Sequence, residues 1–248
     1  MLKFLLLASV TIFANDKSIC GQEDNRIPSR LERVGRMVES LTSYSPCTAT
    51  LIGKNCLVSA GHCKMTDNWL TEFNTPESHP VTGRLIHSKK EDIYELDKIY
   101  GHEDNGPGND WLVYSVKNNK LTMKAPGDLY GFYNIAKRAP KAGDQIQIAG
   151  YGRDYDEKEK ERNFAQQVSF GPILNFVSNQ TKIIHRADTL GGNSGSSIVD
   201  VISQKIIGIH SHGGCWGDLN GNKGTSIYGN VLFQNAIKAC LDANKKGE

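Results

Sequence analysis

The sequence predicts an all-β fold closed by a C-terminal helix, and three observations predict it. Short runs of β-branched and alternating apolar residues recur along the whole 248-residue chain. Clusters of Gly, Pro, Asn and Asp separate them, and the 25 glycines suit a loop-rich β protein better than a helical bundle. Only one segment, close to the C-terminus, repeats apolar residues at helical spacing.

In chain order, Lys3 precedes an apolar run from Phe4 to Ala14 that is too short to span a bilayer. Residues 1–14 therefore read as a signal peptide, and 15–25 as an N-terminal or pro segment. Strands are expected over Cys47–Ile52, Cys56–Ser59, Val81–His87 and Trp111–Val116. The polar, glycine-bearing stretch Lys117–Asp144 reads as the link between two β units. Further strands are expected over Gln145–Ala149, Lys182–His185, Ile198–Ile202, Lys205–His210 and Ile227–Phe233. In Phe233–Ala243, Phe233, Ala236, Ile237 and Cys240 share one helical face. The first unit is assigned to 26–125 and the second, with the helix, to 126–248.

A formal charge of +2 implies neither nucleic acid nor an acidic membrane as a partner. The mixed-sign run Arg153–Arg162 (RDYDEKEKER) reads as a solvated loop. No second long apolar run follows the leader, so the mature chain is expected to be exported and soluble; a monomer is expected. Six cysteines fit an oxidising compartment, extracellular or, in a bacterium, periplasmic, with up to three disulfides. Cys47, Cys56 and Cys63 lack the paired short spacings of a zinc site, and neither a metal nor another cofactor is expected.

Three segments carry reactive residue types. CTATLIGKNCLVSAGHC ends an apolar strand pair in His62 and Cys63; NDWLVYSV places Asp110 directly before an apolar strand; TLGGNSGSSIV sets Ser194 in a glycine-rich turn. Acyl transfer needs an activated hydroxyl, a base within hydrogen-bond reach, a carboxylate to orient that base, and donors for the oxyanion. A tight turn at Gly192 would expose the Ser194 hydroxyl and aim the N–H groups of Gly192 and Ser194 at one point. An α/β-hydrolase runs Ser, Asp, His along the chain; the order here is His, Asp, Ser, which excludes that class.

In this order the SAGHC, DWLV and GGNSGS segments resemble those of the trypsin-like (chymotrypsin-fold) serine proteases, most of all the glutamyl endopeptidases. The resemblance runs from Arg26 to Ala239. It implies two six-stranded antiparallel β-barrels, His62 and Asp110 in the first and Ser194 in the second. It implies a secreted serine endopeptidase acting on proteins or peptides through an acyl-enzyme. Ser194 would be nucleophile, His62 base and then acid, Asp110 its orienting carboxylate, and Gly192 and Ser194 the oxyanion donors. The IIGIHSHGG segment resembles the strand that pairs with substrate, which puts Ser211, His212 and Gly213 beside the scissile bond. Two departures matter: Asn193 replaces the aspartate with which trypsin captures a freshly cut N-terminus, and no Ile-Val-Gly-Gly precedes the first strand. No trypsin-style zymogen switch is therefore expected. Ser197 replaces the proline usual after the nucleophile motif.

Specificity reads two ways. Thr189 and His210 match the hydroxyl and imidazole with which glutamyl endopeptidases hold a substrate carboxylate. Asp188 matches the aspartate with which trypsin binds Lys and Arg. Cleavage after Glu or Asp is favoured; cleavage after Lys or Arg through Asp188, and an inactive protease-like binding protein, are the alternatives. His210 and His212 alternate along a strand, face opposite sides and do not read as a metal pair. His79, His87, His102 and His185 read as surface residues, and Asn179-Gln180-Thr181 is a glycosylation sequon. The resemblance implies the disulfides Cys47–Cys63, Cys56–Cys240 and Cys20–Cys215, the last holding the N-terminal segment beside the primary pocket.

Overall fold

The chain runs through one short lead strand into two closed antiparallel barrels and ends in a helix. In this computed structural model, residues 18–66, 68–156, 158–215 and 220–246 are described; the signal peptide expected over 1–14 lies outside them. Strand β1 (Ile27–Pro28) is followed by β2 (Val34–Val38), β3 (Cys47–Leu51), β4 (Cys56–Ser59), β5 (Leu70–Glu72), β6 (Ile93–Asp104) and β7 (Asp110–Val116). Strands β2 to β7 close in the order β2-β3-β4-β7-β6-β5. The second barrel is built from β8 (Gln145–Gly150), β9 (Gln167–Val177), β10 (Lys182–His185), β11 (Ser197–Asp200), β12 (Lys205–His212) and β13 (Asn222–Ser226). Their order is β9-β10-β13-β12-β11-β8, pairing of β8 with β9 closes the ring, and β1 adds to β9.

Strand β7 shows how the sequence places the core. Side chains alternate across a strand, so Leu112, Tyr114 and Val116 fill the first barrel with Met37, Leu57, Trp69 and Phe73. Trp111 and Val113 face the other way, toward the terminal helix α2 (Val231–Lys246), the second helix after the short α1 (Pro126–Tyr130). There Trp111 stacks on Phe233 with ring centroids 4.9 Å apart. The Cys56–Cys240 disulfide fastens β4 to the same helix, Cys47–Cys63 joins β3 to the turn after β4, and Cys20–Cys215 ties down the N-terminal segment. Isoleucines 146, 148, 173, 183, 198 and 207 fill the second barrel.

Two expected strands are corrected. Val81–His87 is irregular: it follows Pro80, and Gly83 turns with φ +64. Ile227–Phe233 straddles a boundary, because β13 ends at Ser226 and the side chain of Asn230 accepts the Phe233 N–H at 3.0 Å, starting α2. The long strands β6 and β9 escaped the sequence pattern. Their faces are largely half-exposed, with charges in β6 and a Gly-Pro pair in β9, so no apolar alternation marks them.

Candidate active site

The turn Gly61–Cys63 follows β4 directly and brings His62 to the start of β7. Only glycine fits at 61, since a Cβ there would lie 1.8 Å from the Glu103 carbonyl oxygen. Asp110 is wholly buried and its carboxylate is fully engaged. Oδ1 accepts the main-chain N–H groups of Gly61 at 2.5 Å and His62 at 3.1 Å, and Oδ2 faces His62 Nδ1 at 2.6 Å. The Thr225 hydroxyl of β13 bonds both main-chain groups of Asp110, at 3.1 and 2.9 Å, and so ties the Asp110 backbone to the second barrel. An ionised carboxylate only accepts, so Nδ1 of His62 carries the proton and Nε2 is left as an acceptor. Burial opposes charge on His62, but the hydrogen bond and charge of Asp110, with a smaller contribution from Asp104, outweigh it and raise its pKa.

Ser194 sits on the tight turn between β10 and β11, packed against the elements that carry His62. Gly192 has φ +105, and a Cβ there would lie 2.3 Å from the Tyr151 carbonyl oxygen; Gly195 has φ +87 and abuts Ser59 and Thr48 as closely. Thr48 of β3 donates its N–H to the Ser194 carbonyl at 2.8 Å and its hydroxyl to the Gly192 carbonyl at 2.9 Å. The Gly195 N–H donates to the His210 carbonyl at 2.8 Å, joining the turn to β12. The Cys63 sulfur lies 3.6 Å from the Ser194 carbonyl oxygen, a contact without a donor because that sulfur is bridged to Cys47.

The residues expected to line the primary pocket divide sharply. Asp188 is 3% exposed, and both its oxygens are taken by the N-terminal segment: Oδ1 by the Cys20 N–H at 2.6 Å, Oδ2 by the Asn25 N–H at 2.9 Å. Thr189 is wholly buried, and its hydroxyl has no hydrogen-bond partner among the described residues. Ser18 packs on Gly213, and its carbonyl accepts from the Thr189 N–H at 3.2 Å and from Asn222 Nδ2 at 2.7 Å.

His210 is buried, with Nδ1 3.2 Å from Nε2 of His185. His185, expected at the surface, is in fact wholly buried, because its inward place on β10 faces β12 across the barrel; burial lowers its pKa to about 3. Burial likewise holds His210 well below the usual range, reinforced by His185 and its other histidine neighbours. His87 is corrected too: it is half-buried, with Nδ1 2.8 Å from the buried carboxylate of Glu72.

The pairing of β12 with β13 shifts register between His210 and His212. His212 Nδ1 lies 2.9 Å from the Ser211 hydroxyl and 3.6 Å from Asp110 Oδ2, its ring 5.7 Å from that of His62. His62, Asp104 and Asp110 bring ligand atoms within 4.8 Å of one another. Both Asp110 oxygens already hold N–H donors, so the group is a hydrogen-bonded one rather than a set of free ligands.

A family model described as Trypsin matches residues 34–237, most of the chain. The chain belongs to the trypsin family. The serine endopeptidase is similar in structure to a Glu endopeptidase solved in complex with MPD, at 19% identity and TM-score 0.64, covering 89% of this chain and 98% of that one. It is similar to the protease Anisep from Arthrobacter nicotinovorans, at 14% identity and TM-score 0.66, covering 88% and 99%. A thermostable serine protease, AL20, from an extremophilic microorganism gives 13% identity and TM-score 0.63, covering 84% and 97%. At these identities the likeness is one of fold. No curated protein matches the sequence.

Sequence reasoning passed over four contributors to the endopeptidase's site: His185, Ser18, Asn222 and Asp104. His185 carries a signal in hindsight, as it occupies an inward place of the run KIIH, where an unpaired polar group costs free energy. Ser18 and Asn222 are brought in by contact between distant segments and carry no local signal, whereas Asp104 lies opposite Asp110 across the tight β6–β7 hairpin.

Proposed function

We propose that the protease is secreted and cuts peptide bonds after Glu or Asp, with Ser194 as nucleophile. Ser194 Oγ attacks the scissile carbonyl while His62 Nε2 takes its proton; the resulting imidazolium is stabilised by Asp110. The N–H groups of Gly192 and Ser194 receive the oxyanion. His62 then gives the proton to the leaving amine, and water, deprotonated by His62, releases the acyl group and restores Ser194. Ser211, His212 and Gly213 at the end of β12 pair with the substrate main chain.

The observation that carries the specificity is the occupation of Asp188. A buried carboxylate with both oxygens bound to main-chain N–H groups of the N-terminal segment has no oxygen without a donor to offer a lysine or arginine. The buried, unpartnered hydroxyl of Thr189 and the ring of His210 remain as donors for a substrate carboxylate, and charge-assisted bonds of that kind are the stronger ones. The test is a cleavage profile of the mature enzyme on a mixed peptide library, with Ser194→Ala as control. Cuts confined to positions after Glu or Asp support the reading; cuts after Lys or Arg overturn it.

A further inference from the structure

We infer that Arg26 is a positioning residue that holds the oxyanion loop in its working shape, in the role that trypsin gives to a freshly cut N-terminus. The inference rests on the proposed oxyanion role of Gly192 and Ser194. Such a hole works only if its donors are fixed before the reaction. Here they lie on a glycine-rich turn, and the residue before the nucleophile, Asn193, has no charge with which to draw in an amine.

The structure shows what braces that turn instead. The segment Tyr151–Arg153, just after β8, lies directly against it. The Arg153 N–H donates to the Gly191 carbonyl at 2.7 Å, and the Tyr151 carbonyl is where a Cβ on Gly192 would collide. Arg26 bears on the same segment from the N-terminal side. Its Nη1 donates to the Arg153 carbonyl at 2.9 Å. A Cβ on Gly152 would lie 2.6 Å from that nitrogen and 2.1 Å from Nδ2 of Asn193, so both side chains close on one glycine.

Arg26 is itself immobilised. It is 3% exposed, and its guanidinium forks onto Asp24, with Nε 3.0 Å from Oδ1 and Nη2 2.6 Å from Oδ2. Asp154 Oδ2 lies 3.8 Å from Nη2 and 3.2 Å from Nε of Arg162, and Arg162 donates to the Arg26 carbonyl at 2.8 Å. The side chains of Arg26 and Asp154 are buried while Asp24 and Arg162 reach solvent, and networks of this kind fix geometry more reliably than they add stability. This one fixes residues 151–153, and through them the loop 191–193. Because the cation belongs to an internal side chain, the brace needs no free terminal amine.

The experiment compares wild type with Arg26→Lys and Arg26→Met, reading kcat and KM on a peptide substrate and the affinity of a peptide boronate. The boronate becomes tetrahedral on Ser194 and reports the oxyanion donors directly. Thermal unfolding checks that each variant is folded. Arg26→Met should lose roughly 10- to 100-fold in kcat and a similar factor in boronate affinity, with KM within about twofold. Arg26→Lys, which keeps the charge but loses the fork, should fall between. A folded Arg26→Met or Arg26→Lys with wild-type kcat and boronate affinity overturns the inference. So does a loss of kcat at unchanged boronate affinity. Wild type that does not bind the boronate at all would instead refute the oxyanion assignment on which the inference rests.

Discussion

Asp188→Asn is the substitution that separates the two readings of the primary pocket. In the structure the carboxylate is 3% exposed and accepts two main-chain N–H groups, from Cys20 at 2.6 Å and Asn25 at 2.9 Å. The amide keeps the shape and one acceptor oxygen, but turns an NH₂ toward the other donor and removes the charge. One charge-assisted bond is lost and one main-chain N–H of the partly buried N-terminal segment is left facing an NH₂, which together cost about 3 kcal/mol. For a chain of this size that lowers Tm by roughly 6–12 °C. The Cys20–Cys215 disulfide keeps the segment tethered, so the variant should still fold. Calorimetry or a circular-dichroism melt reads the stability, and a peptide library reads the specificity in parallel. Cleavage after Glu should persist in the variant, with no cleavage after Lys or Arg before or after the change. The reasoning fails if wild type cuts after Lys or Arg, if Asp188→Asn abolishes that activity, and if Tm stays within about a degree.

Four further outcomes are expected. Ser194→Ala should lower kcat by roughly a millionfold with an unchanged circular-dichroism spectrum. The base works neutral and the His62 pKa is raised, so kcat/KM should rise with pH through a midpoint above 6.5, and Asp104→Asn, which removes one charge that raises it, should move that limb to lower pH. If His210 donates to the substrate carboxylate as proposed, His210→Leu should cut kcat/KM on Glu substrates about 10- to 100-fold, measured against an ester lacking an acidic side chain. Replacing Cys56 and Cys240 together by Ala opens a loop spanning a sequence separation of 184, and denaturant titration should show a loss of about 4–5 kcal/mol.

The parts of the fold legible in the sequence are those whose signal is local. Strands β4 and β10 coincide with the expected Cys56–Ser59 and Lys182–His185, since short β-branched runs bounded by polar residues need no distant information. The terminal helix announced itself by one apolar face, though it begins at Val231 where Asn230 caps it. Strand β6 did not announce itself, because its exposed face carries charge and its place is set by pairing with β5 and β7.

The site divides along the same line. Residue types and their order along the chain determined the chemistry, because a glycine turn around Ser194, a histidine beside a disulfide and an aspartate opening a strand are each written within a few neighbouring residues. Which way Asp188 points was decided only by tertiary structure. Its two donors come from 168 and 163 residues away, and a buried carboxylate turns toward whichever N–H groups the fold brings to it. The same holds for His185 against His210, for Thr225 beneath Asp110 and for Arg26 behind the oxyanion loop. Each contact joins segments that are strangers in sequence, and burial, which makes an unpaired polar group costly, selects the partner only after the barrels have closed.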